Sequence, residues 1–285
     1  MSVKQAFVDA GGIRTRYFDA GSGPVVILLH GSSLAIDAWS TWHRTIPDLA
    51  RHFRVLAPDL VGFGETDVAA DGTHVPRFER RLHALAFIRA MGVGKCAVVG
   101  HSEGAFIGAV LAIENPHLVS DLVIVTSGAT APALGGALDK DWSVAAAAAY
   151  NVGTGCETED DFIRTNSRLS VTNPTPFLDM LRANYRLARA RGQLERFKAA
   201  AQNGDYRSYT KIQEEKILPH LKHAPARKLL LWASEDATVP VSRGIKLLKH
   251  LPGADMRVFA DAAHMVMIDR PTAFNFMLSN WLRKV

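Results

Sequence analysis

Gly100-His101-Ser102-Glu103-Gly104 follows the apolar run Cys96-Ala97-Val98-Val99 and precedes Ala105-Phe106-Ile107-Gly108-Ala109-Val110-Leu111. The stretch reads as a strand, a sharp turn and a helix, with a serine at the tip of the turn. In that context a G-x-S-x-G pentapeptide holds its serine in a strained backbone conformation with the hydroxyl exposed. The glycines matter because a Cβ at either position would collide with the neighbouring strand or helix. Five residues alone are weak; the strand before and the helix after supply the specificity.

Outward from this turn, short apolar runs alternate with helix-length segments, which implies a mostly parallel sheet flanked by helices. Strands are expected at Ala6–Asp9, Thr15–Asp19, Val25–His30, Arg54–Pro58, Cys96–Val99, Asp121–Thr126, Lys228–Ala233 and Met256–Phe259. Helices are expected at Trp39–Phe53, Pro76–Met91, Gly104–Glu114 and Thr272–Arg283, the last with Pro271 at its start. Between about Gly128 and Lys222 the alternation stops. That stretch holds Ala145–Ala149, charged amphipathic runs and no convincing strand. A helical block between two halves of one sheet reads as an inserted cap. The expected division is therefore a core of residues 1–128 and 223–285 with a helical cap over 129–222. Such a cap covers the crevice at the carboxyl ends of the strands, where ligands of open α/β sheets bind.

With 285 residues, 48% of them hydrophobic, the chain can bury one large α/β core. It has no apolar run of about 18 residues, so no membrane span is expected. Met1-Ser2-Val3-Lys4-Gln5 lacks the apolar region of a secretory signal. Cys96, in a strand-like run, and Cys156, in a polar loop, form neither a disulfide framework nor a metal-binding pair. A reducing cytoplasm is the simplest location. The net charge of +5 and pI near 9.3 raise the question of a polyanionic partner. The basic residues are scattered, except for Arg182, Arg186, Arg189 and Arg191. These flank a stripe of Phe177, Leu181, Tyr185 and Ala188 at helical spacing, the pattern of a solvated helix face. With no recognition motif beside them, no nucleic-acid partner is expected.

A serine hydroxyl becomes a nucleophile when a histidine takes its proton and an acid orients that histidine. In the order serine, acid, histidine, the last two follow late strands. Asp236 lies just past the strand-like Leu229-Leu230-Leu231-Trp232-Ala233, and His264 lies in Ala260-Asp261-Ala262-Ala263-His264-Met265 after the final strand. Glu235 and Asp261 are rival carboxylates, and ten other histidines exist. His101 adjoins the serine, but neighbours on a tight turn point in different directions. His30 reads as a structural partner in its loop. Ser102, Asp236 and His264 are thus the expected catalytic residues, with no metal or cofactor required. An oxyanion needs two N–H donors. One is expected from Glu103, the residue after the serine. The other is expected from His30-Gly31-Ser32-Ser33, with Ser32 favoured over Ser33. The Glu103 carboxylate opposes a developing oxyanion but suits a helix N-terminus, so its side chain is expected to point away from the pocket.

Over its full length the chain resembles serine hydrolases of the α/β-hydrolase fold: a mostly parallel eight-stranded sheet flanked by helices, with an inserted helical cap. It is most similar to the meta-cleavage-product hydrolases, which split a carbon–carbon bond in 2-hydroxy-6-oxo-dienoates. The similar stretches are Asp9-Ala10-Gly11-Gly12-Ile13-Arg14-Thr15-Arg16-Tyr17, Leu28-Leu29-His30-Gly31, Asp59-Leu60-Val61-Gly62-Phe63-Gly64 and the pentapeptide. The resemblance implies a small-molecule substrate and a homodimer. It also makes Arg168, in Asn166-Ser167-Arg168-Leu169, a candidate clamp for a substrate carboxylate. Ser33 and Met265 are expected to line the substrate pocket. The chain departs from that family at Glu103, where Met is common, at Met265, where Trp is common, and at Gly31-Ser32-Ser33, where glycines are usual. Serine at position 102 separates it from the epoxide hydrolases and haloalkane dehalogenases, which use Asp there. A carboxylesterase or lactonase with the same triad is an alternative. So is a ligand-binding receptor or non-hydrolytic enzyme on this scaffold, because fold alone does not fix function.

Overall fold

Val25-Val26-Ile27-Leu28-Leu29 and Leu229-Leu230-Leu231-Trp232 are unbroken apolar runs, and such runs belong to strands covered on both faces. The computed structural model, which describes residues 2–33, 36–138, 158–196, 199 and 211–285, places both inside one eight-stranded sheet, the first at its centre and the second one strand from its edge. Its strands are β1 (Lys4–Asp9), β2 (Arg14–Ala20), β3 (Val25–Leu29), β4 (Arg54–Pro58), β5 (Cys96–His101), β6 (Val119–Val125), β7 (Arg227–Ala233) and β8 (Asp255–Phe259). All eight expected strands are present, with each end within two residues of its expected place. Their order across the sheet is β1-β2-β4-β3-β5-β6-β7-β8. The pairs β1/β2 and β2/β4 are antiparallel; from β4 to β8 the strands run parallel.

Alternate side chains divide the core into two layers. Val26, Leu28, Val99, Val123 and Leu231 enter one layer, and Ile27, Leu29, Val98, Ile124 and Leu230 the other. Helices cover both: α1 (Ala38–Trp42), α2 (Ile46–Leu49), α3 (Arg80–Ala90), α4 (Glu103–Glu114), α5 (Glu159–Asn166), α6 (Thr175–Ala190), α7 (Leu218–Leu221), α8 (Val241–His250), α9 (Val266–Asp269) and α10 (Pro271–Arg283). The single helix expected over Trp39–Phe53 is instead α1 and α2. Pro47 has no N–H with which to continue the ladder, and the chain turns through a Thr45 N–H to Trp42 carbonyl bond of 2.8 Å.

Between β6 and β7 the regular elements among the described residues are helical: α5, a 3-10 turn at Ser167–Leu169, α6, and a π-helical turn at Gln213–Ile217 that runs into α7. Ala145–Ala149 and Cys156 lie outside the described residues. The stripe Phe177, Leu181, Tyr185 and Ala188 is the buried face of α6. Arg182 and Arg186 beside it pair with Asp160 at 3.0 Å and Glu159 at 2.7 Å. Arg191 pairs with Asp67 at 2.9 Å. Among the described residues, no helix is long and apolar enough to cross a membrane.

Candidate active site

The chain leaves β3 towards β4 on one side of the sheet and later returns to β5 on the other. The reversal opens a crevice at the carboxyl ends of β3 and β5, the usual ligand position in such sheets. Ser102 stands there, between β5 and α4, with φ +53° and ψ −115°. This is a strained conformation for a residue with a Cβ. The fold holds it: the Ser102 N–H donates to the Val125 carbonyl at 2.9 Å, and the Ser127 hydroxyl donates to the Ser102 carbonyl at 2.7 Å. A Cβ on Gly100 would lie 2.3 Å from backbone atoms of Gly104 and Ala105, and one on Gly104 would lie 2.2 Å from the Leu29 carbonyl oxygen. Both flanking glycines are therefore required where strand, turn and helix touch.

Opposite Ser102 runs the loop after β3. A Cβ on Gly31 would come within 3.2 Å of the Ser102 Cβ, which places Ser32 beside the turn of Ser102. Glu103 begins α4, where first-turn N–H groups lack intrahelical acceptors. Its side chain is buried. It pairs with Arg80, which is also buried, and with Arg77 at 2.8 Å. Burial opposes ionisation of Glu103, but the Arg80 and Arg77 guanidinium groups hold its carboxyl below the ordinary range. A second Arg80 nitrogen donates to His74 Nε2 at 2.5 Å, so that imidazole is neutral. The acidic side chain beside Ser102 is thus neutralised from the start of α3 and the residues before it, more than twenty positions earlier.

His264 and Asp236 meet although they follow different strands. His264 Nδ1 donates to Asp236 Oδ2 at 2.8 Å, and both residues are almost fully buried. The other carboxylate oxygen accepts from the Thr238 N–H at 2.8 Å, the Thr238 hydroxyl at 2.7 Å and the Val239 N–H at 2.9 Å. These bonds fix the carboxylate plane and thereby the imidazole orientation. The rival acids stand apart: Glu235 is exposed, and Asp261, also exposed, pairs with Arg270 at 3.2 Å. His101 does reach this region. Its Nε2 donates to the His264 carbonyl at 3.0 Å, and the two rings lie 4.6 Å apart.

The three expected pocket residues separate. Ser33 is buried, with its hydroxyl donating to Asn166 Oδ1 at 2.7 Å, and Met265 is buried, with its N–H on the Leu169 carbonyl at 2.8 Å. Arg168 is exposed. From its segment, Asn166 reaches the loop after β3, and the Leu169 main chain reaches the loop of His264.

Three anchoring groups surround the site; the first two had no local signal in the sequence, and of the third only His30 was read as structural. Asp269, in α9, accepts five hydrogen bonds, from Ser170, Val171, Thr172 (twice) and Ala263. It joins the segment after the 3-10 turn to the loop of His264. Arg16, in β2, donates to Asp59 at 2.6 Å, Asp37 at 2.5 Å and Glu65 at 2.6 Å. His30 and His83 accept the consecutive N–H groups of Leu60 and Val61 at 2.9 and 3.2 Å. Burial pushes both imidazoles down to about 4, so they stay neutral and able to accept. Among the described residues, no group of three His, Cys, Asp or Glu side chains is placed to hold a metal ion.

The α/β hydrolase fold family matches residues 24–271. The chain is 26% identical over 286 aligned positions to the 2-hydroxy-6-oxo-2,4-heptadienoate hydrolase of Pseudomonas putida, covering 96% of this chain and 94% of that protein. Its fold resembles the meta-cleavage product hydrolase of Pseudomonas fluorescens, with a TM-score of 0.83 at 23% identity over 98% of this chain and 97% of that one. It also resembles a thermophilic esterase from Thermogutta terrifontis, with a TM-score of 0.73 at 20% identity over 99% and 98% of the two chains. The parallel sheet, the strained serine after β5, and a match that spans most of the sequence agree: the chain belongs to the α/β hydrolase fold family.

Proposed function

We propose that the chain is a serine hydrolase that cleaves the carbon–carbon bond of a 2-hydroxy-6-oxo-dienoate-like ring-cleavage product. The observation that carries the chemistry is the buried pairing of His264 with Asp236 in the fold that strains Ser102 at the crevice. What supports the substrate class is similarity along nearly the whole chain to hydrolases named for such dienoates. Asp236 fixes the tautomer in which His264 carries its proton on Nδ1, leaving Nε2 to accept the Ser102 proton. The N–H groups of Glu103 and Ser32 stabilise the oxyanion formed when Ser102 adds to the carbonyl. For carbon–carbon cleavage, the dienol first becomes a ketone by losing its hydroxyl proton and gaining one on carbon. The fragment then leaves as a stabilised carbanion and is protonated, with His264 as acid and base. Water releases the acyl group from Ser102. The helical segment between β6 and β7 acts as a cap over this crevice, tied to the loop after β3 through Asn166 and to the loop of His264 through Leu169.

The esterase fold neighbour keeps ester hydrolysis as the second reading, because the same acyl-enzyme serves both bonds. Parallel assays with a coloured dienoate and an activated aryl ester separate them. The proposal expects faster loss of dienoate absorbance, abolished by Ser102→Ala. Ester turnover far exceeding dienoate turnover overturns the carbon–carbon reading. Unchanged turnover in Ser102→Ala overturns covalent serine catalysis altogether.

A further inference from the structure

We propose that His101 and Thr126 are positioning residues that clamp the main chain of His264 and so set the placement of its imidazole. The inference rests on the reading of Ser102, Asp236 and His264 as a catalytic unit. Asp236 orients the ring but does not fix the irregular loop that carries it. That loop is held through the His264 carbonyl, which accepts from His101 Nε2 at 3.0 Å and from the Thr126 hydroxyl at 3.0 Å. The donors sit at the carboxyl ends of two adjacent parallel strands: His101 ends β5 and Thr126 follows β6. The rigid sheet therefore reaches out to the loop at two points.

Both donors are kept at a local cost. Thr126 is β-branched, fully buried and held at φ +41°, in the left-handed region that favours glycine. His101 is buried, and its Nδ1 has no hydrogen-bond partner among the described residues. Strained and unsatisfied groups persist where the surrounding structure requires them. A carbonyl can only accept, so His101 must carry its proton on Nε2. Burial, and then the charge of neighbouring His264, hold the His101 imidazole well below its ordinary range. It thus adds no second positive charge beside a protonated His264. Misplacing a proton acceptor by about 1 Å costs on the order of 100-fold in rate.

The test uses the full chain with Thr126→Val, which removes the hydroxyl at constant shape, His101→Leu, which removes the ring donor, and their double variant. Thr126→Ser and His101→Gln restore a donor. Fluorophosphonate labelling of Ser102, steady-state turnover and the proton NMR signal of the His264–Asp236 hydrogen bond are measured on each. The expected result is a fall in kcat of about 100-fold in the double variant with KM within about twofold. Labelling should slow in parallel, the NMR signal should broaden or be lost, and the donor-restoring variants should recover most of the rate. Retention of kcat and of the NMR signal in Thr126→Val and His101→Leu overturns the clamp; if His101→Leu does not fold, Thr126→Val decides alone. The NMR signal reports the clamp whether or not Ser102 is the nucleophile. Wild-type protein that resists labelling at Ser102 while the variants still lose the signal would refute the serine mechanism and leave the clamp standing.

Discussion

Replacing Asp269 tests how the helical segment is coupled to the loop of His264. One Asp269 oxygen accepts from the Ser170 hydroxyl at 2.5 Å, the Thr172 N–H at 2.9 Å and the Thr172 hydroxyl at 2.8 Å. The other accepts from Val171 and Ala263 N–H groups at 3.1 and 2.9 Å. Hydrogen bonds to a charged group contribute roughly 1.5–3 kcal/mol each. Five added together would rival the whole stability of about 5–15 kcal/mol of a typical domain, so the sum cannot be what is lost. Residues 170–172 will detach and hydrate instead, while the N–H of buried Ala263 stays without an acceptor. Asp269→Ala should therefore lose about 3 kcal/mol, the upper end for removing a charged acceptor and leaving a buried donor unpaired. Asp269→Asn should not rescue it. With its oxygen towards Ser170 and Thr172, its NH2 faces the N–H groups of Val171 and Ala263, donor against donor, at a cost of roughly 2 kcal/mol. Urea denaturation measures the loss, and amide exchange at Val171, Thr172 and Ala263 locates it. An Asp269→Asn protein within about 0.5 kcal/mol of wild type, with all three amides still protected, would refute the coupling.

Gly104→Ala puts a Cβ 2.2 Å from the Leu29 carbonyl oxygen, a main-chain atom that cannot yield without moving β3. The expected loss is about 3 kcal/mol or more, and a melting temperature equal to wild type would refute the close-approach argument. Acid stability should follow His30 and His83, which burial pushes down to about 4. The unfolded chain takes up protons below about pH 6.5 while the folded state refuses them until about pH 4. Their contribution is thus complete above pH 6.5 and shrinks by roughly 2 kcal/mol per histidine by pH 5. Urea midpoints unchanged between pH 7 and pH 5 would contradict neutral buried imidazoles.

What the sequence disclosed was whatever depends on neighbours along the chain. The strands announced themselves because burial on two faces leaves unbroken apolar runs. The turn at Ser102 did so because its glycines and serine lie within five consecutive residues. Asp236 and His264 were legible because each follows a strand by a few residues, and the sheet brings those strand ends together. The missed features join distant positions through side chains with ordinary local context. Nothing around Arg80 says that it will neutralise Glu103, and nothing around Asp269 says that its partners lie near Ser170. His101 was set aside because adjacent side chains on a turn diverge. They do diverge, and that divergence is what carries its ring to the His264 carbonyl. Arg168 became a candidate clamp through resemblance alone, and it lies exposed on the 3-10 turn that carries it.

The pairing of Glu103 with Arg80 constrains how this sequence can change. A single exchange of Glu103 for Met would leave the Arg80 guanidinium buried without its principal counterion, which destabilises by several kcal/mol. Exchanging Arg80 first would strand the carboxylate in the same way. The two positions lie 23 residues apart, yet they are coupled: either can be exchanged without that penalty only if the other is exchanged with it. The residue beside the serine thus answers to a buried partner in α3 as well as to the pocket it adjoins.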